Sequence, residues 1–149
     1  MDFKDLAVYK KAFDLSMKIF EISKSFPKEE TYALTDQIRR SSRSVCAIIA
    51  EAYSKRIYPA HFISKASDAD MENAETKVWI SFSLAFGYIT ESQFKELMDY
   101  SAETSMILKT QTRMKTRHAS SIRPIKNKLF SDETGKLINH IIKNPEKYV

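Results

Sequence analysis

The stretch Leu34-Thr35-Asp36-Gln37-Ile38-Arg39-Arg40-Ser41-Ser42-Arg43-Ser44-Val45-Cys46-Ala47-Ile48-Ile49-Ala50-Glu51-Ala52 decides the fold. Leu34, Ile38, Ser41, Val45, Ile48 and Ala52 recur at intervals of four, three, four, three and four. That spacing puts one apolar or small face of a helix against neighbouring helices in a bundle. Arg39 and Arg43 are four apart and share a face off this seam, with Arg40 beside them. Lys55 and Arg56 follow at the helix end, where cations favour the helix dipole. Each of these basic residues is a candidate phosphate contact, or else a partner for Asp36, Glu51 and acids on neighbouring helices.

The same periodicity extends outward in both directions. Asp2 can cap a first helix in which Tyr9, Ala12, Ser16, Ile19, Ser23 and Phe26 alternate at threes and fours, with Leu6, Phe13 and Phe20 widening the stripe. The segment SFPKEE ends it, and Pro27 with Glu29 and Glu30 suits the first turn of the second helix. Pro59 opens a third, through Phe62, Ala66, Ala69, Asn73, Thr76, Ile80 and Ser83. From Ile80 to Tyr88 large and small residues alternate as in a strand, but no turn precedes this run and no second strand is available to pair with it. Read as a helix, this end is apolar nearly all round. Trp79, Phe82, Phe86 and Tyr88 then exceed what one bundle core covers and point to a subunit contact. Thr90 and Gln93 have the spacing of a capping box for a fourth helix through Phe94, Leu97, Ser101, Thr104, Leu108 and Gln111, which is expected to stop before Pro124. Ser131 can start a short fifth helix carrying Leu137, Ile138, Ile141 and Ile142. The expected fold is all-α: an antiparallel up-down four-helix bundle over residues 1–119, and a C-terminal extension over 120–149 whose short helix packs on the same domain or a neighbour.

Composition agrees with this reading. In 149 residues there are two glycines and four prolines, too few for a turn-rich sandwich or barrel. No apolar run is long enough to span a membrane, and the opening MDFKDLAVYKK is amphipathic, so a cytoplasmic protein without a membrane role is expected. A single cysteine, Cys46, excludes a disulfide framework and any multi-cysteine zinc site. The net charge of +5 is unevenly placed: residues 104–131 carry Lys109, Arg113, Lys115, Arg117, Arg123, Lys126 and Lys128 with no acid among them. Such a segment attracts polyanions through counterion release, although it equally describes a solvated helix end. Lys109, Arg113 and Arg117, spaced by four, form one stripe.

Catalytic constellations are missing. His61, His118 and His140 lack a Glu three positions upstream, so the di-metal motif of helical bundles is absent. Two glycines make no phosphate-cradling loop, and Asp68, Glu72 and Glu75 on one helical face read as ion-pairing residues. Cys46 beside the seam reads as a packed thiol rather than a nucleophile. No cofactor and no enzymatic activity are expected.

The order of residues says more than their composition. The run from Leu34 to Glu51 resembles the signature of the four-helix bundle proteins encoded in 23S ribosomal RNA intervening sequences. So do the opening Phe3-Lys4-Asp5-Leu6, the Phe26-Pro27 pair ahead of Glu30, and Ala74-Glu75 leading to Gly87-Tyr88-Ile89; the likeness covers residues 3–117. That family is in turn similar to the accessory variability protein of diversity-generating retroelements, a pentameric barrel with basic surfaces. The resemblance therefore implies a homo-oligomer, with a pentamer favoured, and no activity as an enzyme. Ile48, Ala52 and Cys46 stand where the family has Asn, Gly and Pro, which removes a polar group and a close backbone approach. Arg39, Arg40 and Glu51 match it, and Glu51 is expected to hold an arginine in a structural ion pair. Nucleic acid is the expected partner, through Arg39, Arg40, Arg43, Lys109, Arg113, Lys115 and Arg117. A partner protein docked on the aromatic end of the third helix is the competing expectation.

Overall fold

A computed structural model describes residues 2–129, with side chains to residue 120. Four helices carry the fold: α1 (Ala7–Ser23), α2 (Leu34–Ser54), α3 (Pro59–Ala85) and α4 (Glu91–Leu129). Among the described residues there is no strand. The bundle proper is a compact unit of residues 1–113, and the later turns of α4 fall in a second unit that begins at Met114. Short connections, residues 55–58 and 86–90, reverse the chain between α2 and α3 and between α3 and α4, giving up-down topology. The expected C-terminal helix, with Leu137, Ile138, Ile141 and Ile142, lies outside the described residues.

Local chemistry sets the helix ends. Asp2 and Asp5 form a reciprocal capping box, but around a 3-10 turn, Phe3–Asp5, and α1 itself starts at Ala7. The Pro27 segment likewise makes a separate 3-10 turn, Lys28–Glu30, instead of opening α2; the Glu30 carboxylate then accepts the backbone N–H of Leu34 at 3.1 Å, a donor that the first turn of α2 leaves free. Thr90 and Gln93 make the expected capping box at α4, with bonds of 2.9 and 3.1 Å. The helix does not stop before Pro124, since α4 continues to Leu129. A proline takes one donor from the ladder and strains the turn before it, which weakens a helix without ending it.

The core has two apolar layers. Leu15, Ile19, Ile38, Ile80 and Leu97 pack at one end, with Phe26, Leu34 and Ile89 closing it. Val8, Ala12, Val45, Ile49, Ala66, Ala69 and Leu108 fill the other. Between these layers three of the helices place small polar residues: Ser41 and Ser42 on α2, Asn73 and Thr76 on α3, Ser101 and Thr104 on α4, all buried. Asn73 donates to the Ser101 carbonyl at 2.8 Å and accepts from the Ser101 hydroxyl at 2.8 Å, while Thr76 donates to Ser41 at 2.9 Å. Each of these bonds crosses between helices, while Ser42 and Thr104 donate to carbonyls of their own helices, Arg39 and Tyr100, so this polar layer is satisfied as a low-dielectric interior requires.

The seams read from the sequence are the buried ones on α3 and α4, with Phe62, Phe94 and Gln111 half-buried at their ends. On α2 the buried residue near the end is Ile49, and Ile48 is half-buried. On α1, Val8 and Leu15 widen the stripe, whereas Phe13 faces outward. A bundle helix touches two neighbours, so its buried arc shifts toward the angle between them, which spacing alone does not define. Lys11–Glu103 and Lys18–Glu96 join α1 to α4, and both lysines lie over the ring of Tyr100, at 5.0 and 5.3 Å.

Candidate functional site

The basic residues do not converge. On α2, Arg39 and Arg43 turn toward α1, where their guanidinium carbons lie 5.1 and 6.0 Å from the centre of the Phe20 ring. Arg39 Nε also donates to the Ser23 hydroxyl at 2.7 Å. Lys24 approaches the same ring at 4.7 Å and is paired with Glu21 on its own helix. Arg40, a helical step of about 100° away, turns to the other side of α2. It lies 3.9 Å from Asp36 and lines a small polar groove with Gln37, Glu72 and Glu75. Lys109 and Arg113 sit at the other apolar layer, beside a groove of about 410 Å³ between α3 and α4 where Asp70 lies 3.7 Å from Lys109. Lys115 and Arg117 belong to the part of α4 in the second unit. Arg39 and Arg43 thus form one cluster against α1, Lys109 and Arg113 another beside α3.

The four aromatics behave differently. Trp79 and Phe82 are 6.0 Å apart, Phe82 and Phe86 5.6 Å, Phe86 and Tyr88 5.6 Å, and Tyr88 meets Phe26 at 5.5 Å. They form one continuous row from the outside of α3 to the closed end of the core. Phe82 is 45% exposed, Phe86 52% and the neighbouring Val78 49%, so the apolar surplus seen in the sequence lies on the outside of the bundle. Trp79 Nε1 donates to Glu75 at 3.0 Å, and the Tyr88 hydroxyl donates to Glu30 at 3.3 Å. Burial, with the Glu30 charge beside it, raises the Tyr88 phenol above its ordinary value.

Groups suited to covalent chemistry are subdued. Burial pushes the Cys46 thiol up to about 11, which disfavours the nucleophilic thiolate. Among the described residues no group of His, Cys, Asp and Glu is arranged to hold a metal ion. Glu51 does pair across the bundle, but with Lys65 of α3 at 2.6 Å and at the surface, not with an arginine in the interior. The second and third helices run side by side there, and Lys65 is the cation that α3 presents to Glu51.

With this geometry in view, comparison with known proteins is decisive on kinship. The family model described as 23S rRNA-intervening sequence protein matches residues 4–110. The chain belongs to this family. Among solved structures, a protein of unknown function from the S23 ribosomal protein family of Bacteroides thetaiotaomicron is similar to it, at 28% identity and a TM-score of 0.64. The likeness covers 71% of this chain and 98% of that one. No curated protein matches.

The match of the 23S rRNA-intervening sequence protein family ends at residue 110, within the bundle unit, and so includes Arg39, Arg43 and the whole aromatic row. Of the three departures from the family signature, Ala52 is buried, while Ile48 and Cys46 are half-buried beside the Val45 layer. Polar contacts across the core are made by Asn73 with Ser101 and by Thr76 with Ser41. Sequence reading missed Phe20, Ser23 and Lys24 as companions of the arginines. Phe20 and Lys24 are four apart and share a face of α1, but only packing brings that face to Arg39 and Arg43.

Proposed function

We propose that this protein is a non-enzymatic, homo-oligomeric binding module that holds RNA or DNA by its phosphate backbone, as an accessory factor. One observation carries the reading: Arg39, Arg43 and Arg113 have no carboxylate within ion-pair reach among the described residues, while Lys11, Lys18, Lys65 and Lys109 each have one. A guanidinium left uncompensated on a helix surface is a ready contact for phosphate oxygens. Lys109, Lys115 and Arg117 add to the potential along α4, and Arg40 stands at the α2–α3 groove. No base-reading motif accompanies them, so the binding is weakly selective for sequence.

Assembly follows from the aromatic row. A second copy of the chain covering Val78, Phe82 and Phe86 removes apolar surface from water, at about 25 cal/mol for each Å² buried. Repetition then multiplies basic patches that are small on one protomer. Five copies is the number that the likeness to the accessory variability protein implies. The competing reading is a scaffold, in which the same exposed row takes a partner protein and the cations serve solubility.

Fluorescence anisotropy with labelled RNA and duplex DNA across salt, on protein whose mass is set by light scattering, separates the two. With about six phosphates neutralised, the logarithm of affinity falls with log salt at a slope near −5 on duplex. Changing Arg113, Lys115 and Arg117 together to Glu abolishes that binding while the assembly persists. A well-formed oligomer that binds neither nucleic acid at low salt sinks the proposal and leaves the scaffold, whose partner is lost on changing Trp79 or Phe82.

A further inference from the structure

We infer that Phe20 is the platform of a phosphodiester-binding site on the α1–α2 face, with Arg39 and Arg43 as its gripping residues and Lys24 as a third cation. The inference rests on the nucleic-acid reading above and adds to the α4 cations a second face with its own contact chemistry.

Three cations from two helices surround a single ring, each within 6.0 Å of its centre. Like charges drawn so close repel one another, and a helix pair tolerates the arrangement when an anion shares it or water screens it. Glu21 compensates Lys24, but neither guanidinium has a carboxylate partner among the described residues. The contrast with Arg40 is informative, since that neighbour on the same helix turns to Asp36 instead.

The inner edge of Arg39 is anchored. Its Nε donates to the Ser23 hydroxyl, and that hydroxyl donates to the Phe20 carbonyl at 3.1 Å. Ser23 is buried, so the bond is shielded from competing water. The two terminal nitrogens of Arg39 make no hydrogen bond to another described residue. With Nε held by Ser23 and its carbon 5.1 Å from the ring centre, the guanidinium presents a fork already ordered for two phosphate oxygens, and binding then costs less side-chain entropy. Arg43, four residues along α2, is exposed and approaches the same ring at 6.0 Å, offering a second fork about 6 Å further along the helix. A lysine in either place keeps the charge but loses both the fork and the flat stacking surface.

The test uses the full chain as its natural assembly, with a labelled single-stranded RNA followed by anisotropy. Replacing Arg39 and Arg43 together by Lys leaves net charge unchanged and weakens binding about tenfold. Phe20→Leu also keeps the charge and weakens binding severalfold, and thermal melting checks that it is folded. Polyglutamate at equal charge concentration does not displace the RNA. If the Lys pair binds RNA as the parent does, the site is overturned while the nucleic-acid reading stands. If polyglutamate displaces RNA as well as unlabelled RNA does, the face takes acidic protein and the phosphodiester assignment is overturned. If the parent protein binds no RNA at low salt, the reading beneath the inference falls and the inference with it.

Discussion

Thr35 is buried in the first turn of α2, and its hydroxyl is the one buried side-chain polar atom that finds no hydrogen-bond partner among the described residues. A hydroxyl in that position has lost water without gaining a bond. Thr35→Val keeps the shape and removes the polar group, so it is expected to stabilise the protein by about 1 kcal/mol, read as a rise of roughly 2–4 °C in melting temperature. A fall in melting temperature would mean that the hydroxyl has a partner after all. Asn73 makes the opposite case. It is equally buried, but both ends of its amide are bonded to Ser101, and it ties α3 to α4 at one level. Spacing placed both residues correctly: Asn73 fell on the seam of the third helix and Ser101 on that of the fourth. That they would bond to each other was not legible, because register between two helices depends on how far the 86–90 connection lets one slide along the other.

At the scale of elements, the end of α3 shows how a pattern can mislead. The alternation from Ile80 to Tyr88 has a strand's period, yet Ile80 and Ser83 are buried and Phe82 and Phe86 are exposed. The buried period is helical once a small residue is allowed inside and large ones outside. The helix then ends at a glycine. Gly87 has φ +73°, its N–H donates to the Leu84 carbonyl at 2.9 Å, and the Tyr88 N–H donates to the Ser83 carbonyl at 2.9 Å. This pair of bonds is the Schellman termination, which calls for a left-handed residue at this point. A Cβ at Gly87 would meet no neighbouring atom, so the cost of Gly87→Ala is conformational alone. It is expected to destabilise by about 1 kcal/mol in chemical denaturation, with an unchanged denaturant slope. A loss several times larger would mean that the turn also holds the aromatic row in place. The helix ends were the least legible part of the sequence: Asp2 and Pro27 were recognised as punctuation, but each marks a 3-10 turn just ahead of the helix it was assigned to.

For the whole molecule, the decisive feature is apolar surface on the outside. Phe82 and Phe86 are about half exposed on a bundle that already has two filled core layers. Changing both to Glu removes nothing from either layer, so helical content by circular dichroism is expected to hold while the light-scattering mass of the proposed assembly drops to that of one chain. Retention of the parent's mass would exclude the aromatic row as the contact of the proposed assembly. Loss of assembly should also weaken RNA binding, since each protomer offers only small basic patches.

The sequence by itself determined that this is an all-α bundle and which face of α3 and α4 is inward, because burial follows the helical period residue by residue. It determined kinship too, through the ordered run from Leu34 to Glu51. Only the tertiary structure decided that Arg39 and Arg43 meet Phe20 while Arg40 does not, and that Lys109 and Arg113 lie apart from them. Neighbours along a helix point about 100° apart, so residues adjacent in sequence serve different surfaces, and which surfaces those are is settled by how the helices pack.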